Sequence, residues 1–418
     1  MKSRHALVHT AVAGLLLSAL TACSGGGGDD RTVLEFQTAL AADAPMLTVL
    51  EEITSRYEAE HPDVDVDLRT GGNDYEAQIK VRLAARDVPD IWATHGWSQQ
   101  RYGAFLAPLQ DEPWAQGFNP ALDTAMRGED GTFYALPVTT DVAGLVVNRD
   151  ALTEVGVDPD AITTWEDFVA AGEALVAQDR VALTLAGSKS GSAGNAIDWL
   201  APGAFSEAEL ASMTAGDFPQ DAYARLLGVL DQWRADGWIN PDYSSATSDD
   251  MAQALAQGKA AFALSNNSLI SQAWEYDPEA DLAFIPIPAM LGGDPYLIGG
   301  EGTAFGAAKD GDDLEEAKDY LAFLAQPDNT SALAASVGTL PGLTDAEPRL
   351  GELESSFEQY VIPNELPLAP YFDRVYLPNG MWETVVSTAD GVIAGQSSPA
   401  DAAAQVATDF DTLYGQSQ

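Results

Sequence analysis

Short apolar strands alternate with amphipathic helices along this 418-residue chain, and this alternation restricts the fold more than any other feature. The segment "RTVLEFQTA" (31–39) is predicted to be a strand. A helix is predicted from about Pro45, because four apolar residues share one helical face: Leu47, Leu50, Ile53 and Tyr57. "HPDVDVDLR" (61–69) then gives a turn and a strand in which apolar residues alternate with acids. Units of this kind continue along the chain and predict an α/β protein.

The N-terminal residues have the anatomy of an export signal. Lys2 and Arg4 precede an apolar run at 11–20, which is too short to span a bilayer. Leu20-Thr21-Ala22-Cys23 resembles the bacterial lipobox, whose cysteine receives a lipid; an ordinary signal with an incidental cysteine is the alternative. We predict a lipoprotein signal over 1–22, lipidation of Cys23 and a flexible tether over 23–31. Such a protein is anchored to the outer face of the cell membrane.

The composition limits the partners of the chain. The 64 acidic residues exceed the 20 basic ones and give a formal net charge of −44. Nucleic acid is therefore not predicted as a partner, because phosphate binding needs lysine and arginine. Cys23 is the only cysteine, so no disulfide is predicted within the mature chain. The remaining length suffices for two domains of ordinary size.

Few residues are available for catalysis or metal binding. Of four histidines, His5 and His9 lie in the predicted signal, His61 lies in a turn, and only His95 lies in a promising loop. A metal cluster or a Ser-His-Asp triad is therefore not predicted, and neither is a cofactor. Carboxylates are abundant, so a glycosidase-type acid pair remains open by counting alone. The sequence singles out no such pair, and no enzyme activity is predicted.

Several ordered motifs resemble one family, the bacterial extracellular solute-binding proteins of the carbohydrate-transporter type (family 1). They include "IKVRLAARDVPDIWA" (79–93), "EDGTFYALPVTTDVAGLVVNRDALTEVGVDP" (129–159) and "GGEGTAFGAAKDGDDLEEAKDYLAFLAQP" (299–327). The resemblance covers essentially the whole mature chain. It implies two α/β lobes that close on a ligand, and a monomeric receptor that delivers a sugar or oligosaccharide to the permease of an ABC importer.

The resemblance also implies that the chain crosses between the lobes several times. The predicted crossings are "LPVTTDVAG" (136–144), "LIGGEGTAFG" (297–306) and a third near "GTLPGL" (338–343). Plain loops within one lobe are the alternative for each glycine-containing segment. The predicted lobes are lobe 1, at 32–138 and about 300–342, and lobe 2, at 139–299 and about 343–418.

Sugar binding calls for aromatic platforms and for carboxylates or amides in a cleft. Residues of these types in predicted loops and strand ends give the candidate ligand-binding set: Asp43, His95, Trp97, Asp141, Trp199, Asn267, Glu301, Tyr371 and Asp373. Core packing is the alternative for Trp97, for Trp199 and for the aromatic residues near Tyr371. A turn-forming role in the hinge is the alternative for Asp141.

The remaining candidates also have structural alternatives. Asn266 and Asn267 follow an apolar strand, and one of them is expected to bind ligand while the other forms a turn. Gly300 and Gly302 are expected to expose the carboxylate of Glu301 in the cleft. Asp43 is a helix N-cap or a sugar acceptor, with the N-cap favoured.

Two rival functions stay open from the sequence. The same fold can bind another solute, such as a polyamine, a peptide or a glycerophosphodiester. The candidate loops hold almost no arginine or lysine, which disfavours a phosphorylated ligand, whereas the many acids suit a polyamine. The other rival is a cell-surface enzyme that acts on carbohydrate.

Overall fold

The computed structural model describes residues 31–95, 98–99, 101–128, 130–188, 191–361 and 368–417. Strands and helices alternate through these residues, as the sequence predicts. The strands are β1 (Thr32–Gln37), β2 (Val64–Arg69), β3 (Ile91–Ala93), β4 (Leu136–Pro137), β5 (Thr139–Ala143), β6 (Leu145–Asn148), β7 (Val181–Leu183), β8 (Ala260–Ala263), β9 (Leu282–Ile285), β10 (Leu297–Glu301), β11 (Ala304–Ala307), β12 (Leu340–Pro341) and β13 (Leu368–Pro370).

The helices range from single turns to 19 residues. Among the described residues, no helix has the length and the apolar character needed to cross a membrane. The helices are α1 (Pro45–Glu60), α2 (Tyr75–Ala85), α3 (Asp123–Met126), α4 (Arg149–Glu154), α5 (Trp165–Val176), α6 (Ser192–Ala204), α7 (Glu207–Thr214), α8 (Gln220–Ala235), α9 (Ser248–Ala256), α10 (Ser268–Tyr276), α11 (Leu314–Leu324), α12 (Pro327–Ala335), α13 (Glu354–Ser356), α14 (Phe372–Val375), α15 (Trp382–Ile393) and α16 (Pro399–Ser417).

The first strand–helix–strand unit forms as its pattern predicts. Successive residues of β1 face opposite sides, so Leu34 and Phe36 are fully buried while Val33 is exposed. The four apolar residues that share one face of α1 are all buried. β2 pairs in parallel with β1, and Thr32 lies opposite Val64.

The strands form three sheets. The lobe 1 sheet has the order β2-β1-β3-β11-β4, and the lobe 2 sheet has the order β7-β8-β6-β9. A third sheet, here called the crossing sheet, has the order β12-β5-β10-β13. Its first three strands lie within the three segments that the sequence predicts as crossings. β5 pairs antiparallel with both β12 and β10, and β10 pairs in parallel with β13.

The crossing sheet connects directly to the other two sheets. The chain passes from β4 in the lobe 1 sheet through β5 to β6 in the lobe 2 sheet within residues 136–148. It returns from β10 to β11, which lies in the lobe 1 sheet. Residues on β5 and at the end of β10 are therefore positioned between the two lobes.

Separate apolar cores support the two lobes. One cluster draws its buried residues from positions 34–138 and 304–343, including Trp92 and Phe305. The others draw theirs from 142–410, with Phe262 and Phe284 on the two strands that flank β6 in the lobe 2 sheet. On this basis we propose the lobe boundaries at the residues predicted above.

The start of α5 differs by one residue from the simplest interpretation of its sequence. Thr163 with Glu166 matches the capping-box pattern, but Thr164 is the N-cap and Asp167 completes the box. The hydroxyl of Thr164 accepts a hydrogen bond from the backbone N–H of Asp167, and the Asp167 carboxylate accepts one from the backbone of Thr164. Two adjacent threonines followed by two adjacent acids fit the motif in either register, so the motif alone does not decide between them.

Candidate ligand-binding cleft

A cavity of about 590 Å³ lies between the lobes, within the range of small-molecule sites at ~300–1,000 Å³. The crossing sheet forms its floor, with Thr139 and Asp141 on β5 and Gly302 just beyond β10. Lobe 1 contributes residues such as His95, and lobe 2 contributes residues such as Trp382. Of the nine predicted ligand-binding residues, six line this cavity: His95, Asp141, Trp199, Asn267, Tyr371 and Asp373.

Asp141 lies on the floor of the cavity. Its Oδ2 atom accepts a hydrogen bond of 2.7 Å from the hydroxyl of Tyr371. Two glycines make room for this pair, since a Cβ at Gly300 would lie 2.7 Å from the Tyr371 ring and one at Gly302 would lie 2.5 Å from Asp141 Oδ1. Burial raises the pKa of Asp141, while Tyr371 and Arg374 oppose that change. The geometry therefore holds a carboxylate in place as a hydrogen-bond acceptor.

The prediction that Glu301 exposes its carboxylate in the cleft is wrong. Glu301 is fully buried and does not line the main cavity. Side chains alternate across a strand, so Gly300 and Gly302 take the cleft side of this segment and Glu301 takes the opposite side. There Glu301 faces a small cavity of about 50 Å³ beneath the crossing sheet.

Glu301 is paired with Arg374, which the sequence reasoning missed. Arg374 Nη1 donates to the carbonyl of Glu301 at 2.7 Å and to its Oε1 atom at 2.6 Å. The guanidinium also lies over the Tyr371 ring, 4.1 Å from the centroid. Burial raises the pKa of Glu301 to about 7, although Arg374 acts in the opposite direction. Arg374 thus links the buried acid to the tyrosine that holds Asp141.

Two further aspartates form a buried pair in the lobe 2 wall. Asp198 lies on α6 and Asp373 lies at the start of α14, and the backbone N–H of Asp373 donates to Asp198 Oδ1 at 2.9 Å. Burial and the neighbouring carboxylate of Asp373 raise the pKa of Asp198 well above its ordinary value. Burial likewise raises the pKa of Asp373. The pair presents closely spaced oxygens to the cavity, suited to hydroxyl donors.

His95 and Asn267 are held by backbone carbonyls. His95 Nδ1 lies 2.9 Å from the carbonyl of Gly302, which only accepts, so Nδ1 carries the proton and Nε2 of the neutral ring is an acceptor. Burial lowers the pKa of His95 and favours this neutral form. The amide nitrogen of Asn267 donates to the carbonyl of Val142 at 2.8 Å, and its buried Oδ1 has no partner among the described residues.

The predicted aromatic platforms have different positions. Trp199 is only 2% exposed and its indole N–H donates to the carbonyl of Gly144 at 3.3 Å, so it forms part of the cavity wall and of the lobe 2 core. Its role as a platform stays a prediction. Trp97 lies outside the described residues. Trp382, half-buried at the start of α15, lines the cavity and is an additional candidate that the sequence reasoning passed over.

The structure does not place Asp43 at the cavity. Asp43 is exposed and is not part of the lining. It is not the favoured N-cap either, because Ala44 holds that position and α1 begins at Pro45 without a side-chain cap. Proline at the first helical position favours a helix start there, because its ring already fixes φ in the helical range.

Other residues at the cavity also escaped the sequence reasoning: Glu76, Lys80, Arg101, Asn195, Asp198, Arg374 and Glu383. Two of them adjoin predicted residues, since Asp198 precedes Trp199 and Arg374 follows Asp373. For Asp198 and Arg374, this adjacency is the one sequence signal that would have identified them. Among the described residues, no group of three or more histidine, cysteine or acidic side chains is arranged to hold a metal ion.

Comparison with known proteins identifies the family. A model of the family described as "bacterial extracellular solute-binding protein" matches residues 52–358. The chain belongs to this family. It is 31% identical over 415 residues to the melibiose/raffinose/stachyose-binding protein of Bacillus subtilis strain 168, covering 97% of this chain and 96% of that protein.

Solved structures of solute-binding proteins have the same fold. A binding protein of Bacillus subtilis in an open conformation superposes with a TM-score of 0.83 at 30% identity, over 93% of this chain and 99% of that one. A sugar transporter protein of Bacillus licheniformis, in complex with stachyose, superposes with a TM-score of 0.82 at 29% identity, over 91% and 100%. The predicted family and two-lobed fold are confirmed, and so is the general function of a sugar-binding receptor of an ABC importer.

Proposed function

We propose that this receptor captures a galactose-containing oligosaccharide of the raffinose type in the cleft between its lobes. The proposal depends on the arrangement of Asp141. This residue is hydrogen-bonded to Tyr371 on the cleft floor, and it faces a cavity that Trp382 also lines. Fixed carboxylates accept the hydroxyl groups of a sugar, while aromatic rings pack on its C–H faces. Melibiose, raffinose and stachyose share a galactosyl unit; one similar protein is described as binding all three sugars, and another has been solved in complex with stachyose.

Binding is coupled to closure of the lobes. A similar protein has been solved in an open conformation, so the fold has at least one state in which the cleft is accessible. A ligand that touches both lobes binds the closed state better and therefore shifts the population toward it. The permease then distinguishes the closed, loaded receptor from the open one. The receptor itself carries out no covalent chemistry in this proposal.

The N-terminal segment supports attachment at the cell surface. Cys23 lies outside the described residues, so the proposal depends on the lipobox-like sequence and on the extracellular family. We propose that the lipidated cysteine anchors a monomeric receptor to the outer face of the membrane. The glycine-rich residues after it provide a flexible tether that keeps the receptor near its permease.

A polyamine is the second candidate ligand, because carboxylates outnumber bases in the cleft. Glu76, Asp141, Asp198, Asp373 and Glu383 line it, together with three bases: Lys80, Arg101 and Arg374. Arg374 favours a neutral ligand instead, because it adds a positive charge to the lining of the cavity. Burial also raises the pKa of three of these acids, which makes their charged forms less favourable.

Calorimetric titration of the purified mature domain tests the proposed substrate class. We expect melibiose, raffinose and stachyose to bind with micromolar or tighter dissociation constants, about −8 kcal/mol or better. Maltotriose and cellobiose serve as sugars of matched polarity without galactose, and spermidine serves as the polyamine. Binding of spermidine without any galactoside would refute the sugar proposal. Thin-layer analysis of the same mixtures detects hydrolysis, which would instead indicate an enzyme.

A further inference from the structure

An arginine of lobe 1 forms hydrogen bonds to an asparagine of lobe 2. Arg101 Nε and Nη2 both donate to Asn379 Oδ1, at 2.9 and 2.7 Å. The third guanidinium nitrogen, Nη1, pairs with the carboxylate of Glu76. Arg101 lines the ligand cavity whereas Asn379 is exposed and does not, so the contact lies at the rim of the cleft.

Each partner is held by the core of its own lobe. Arg101 precedes Tyr102, which is 1% exposed in the lobe 1 core, and Glu76 follows the buried Tyr75 at the start of α2. An ion pair to Glu76 therefore orients the guanidinium from within lobe 1. With an exposed fraction of only 11%, the Arg101 side chain is also shielded from competing water.

Asn379 lies in a tight turn of lobe 2. The backbone N–H of Met381 donates to the carbonyl of Pro378 at 3.2 Å, and Gly380 takes a φ of 102°, a geometry that favours glycine at the third position of the turn. The buried residues Leu377 and Met381 fix both ends of this turn in the lobe 2 core. The turn therefore moves with lobe 2.

We propose that Arg101 and Asn379 form a latch that stabilises the closed arrangement of the lobes. Asn379 itself does not contact the ligand in this proposal. The contact joins protein groups alone, so it forms whenever the lobes approach, whichever solute is bound. The latch proposal rests on the proposed function in one respect only, namely that ligand binding accompanies closure of the lobes. Because the apparent affinity depends on the fraction of closed receptor, the latch changes every affinity by one common factor.

The Asn379→Ala variant tests the latch, because Asn379 is outside the cavity lining and Gly380 keeps the turn. We expect the dissociation constants of melibiose, raffinose and stachyose to rise by the same factor, roughly three- to tenfold, as one charge-assisted contact is lost. The Asp294→Ala variant, at an exposed position in a loop of lobe 2, serves as the matched control and should leave all three constants unchanged. Unchanged affinities in Asn379→Ala, or factors that differ among the sugars, would overturn the latch.

A double-mutant cycle separates the latch from any contact between Arg101 and the ligand. In an Arg101→Ala background the Asn379→Ala change should have no further effect, because its partner is already gone. An undiminished effect in that background refutes the pairing. Small-angle X-ray scattering of ligand-free protein gives a readout that needs no sugar, and we expect a larger radius of gyration for Asn379→Ala than for the unmodified receptor. Identical scattering would count against the latch even if no galactoside binds.

Discussion

The Asp141→Asn variant is expected to bind raffinose roughly ten- to a hundredfold more weakly, a loss of about 1.4–2.7 kcal/mol. Asp141 is the carboxylate on the cleft floor, and Tyr371 already donates to one of its oxygens. An asparagine has a single acceptor oxygen and places two donor hydrogens where the ligand hydroxyls also donate. The variant therefore loses a charged acceptor and gains a mismatched donor, while the size of the side chain is conserved.

Two further variants are compared with Asp141→Asn. Tyr371→Phe keeps the carboxylate and removes the hydroxyl that orients it, so a smaller loss of affinity is expected. Asp294→Asn makes the same chemical change on the exposed surface of lobe 2 and should bind as the unmodified receptor does. Calorimetry measures all three. If Asp141→Asn binds raffinose normally, the cleft floor does not contact the sugar and the site assignment is wrong.

The Arg374→Met variant is expected to lose about 3–5 kcal/mol of unfolding free energy at pH 8, because it leaves Glu301 buried without its cation. Arg374 opposes the rise in the pKa of Glu301, so its removal raises that pKa further above the present value of about 7. A carboxyl group whose pKa is higher in the folded state binds more protons there, so stability falls as the pH rises through that range. The loss should therefore be much smaller at pH 5.5 than at pH 8.

Urea unfolding of the ligand-free protein at both pH values measures this difference. The double variant Glu301→Gln/Arg374→Met carries no ionisable group at position 301, so it should be more stable than Arg374→Met at pH 8 and should depend less on pH. An equal loss for Arg374→Met at both pH values would show that the deficit comes from packing and not from the buried carboxylate.

The sequence pattern predicted the fold well because its signals are local. Strand and helix periodicity, together with the order of the family motifs, gave the α/β class, and all three predicted crossings fall on neighbouring strands of one sheet. Cleft residues near a glycine or a strand end, such as Asp141 and Asn267, were also found. Such residues carry a signal in their immediate neighbours.

The remaining features depend on contacts between distant parts of the chain. Glu301 and Arg374 are 73 positions apart, and Arg101 and Asn379 are 278 apart, so no local pattern joins them. The glycines that flank Glu301 were recognised in the sequence. The packing of Tyr371 against Gly300, however, decides which face of the strand is turned toward the cleft. Register of this kind is set by tertiary structure, since a shift of one residue moves every side chain to the other face.

A crystal structure of the receptor with raffinose tests the central claim most directly. We predict electron density for the sugar between the lobes, with hydroxyl groups within hydrogen-bond distance of Asp141 and with a pyranose ring packed on Trp382. Density for raffinose elsewhere on the protein, or a cleft that closes on a different solute while raffinose stays unbound, would contradict the account.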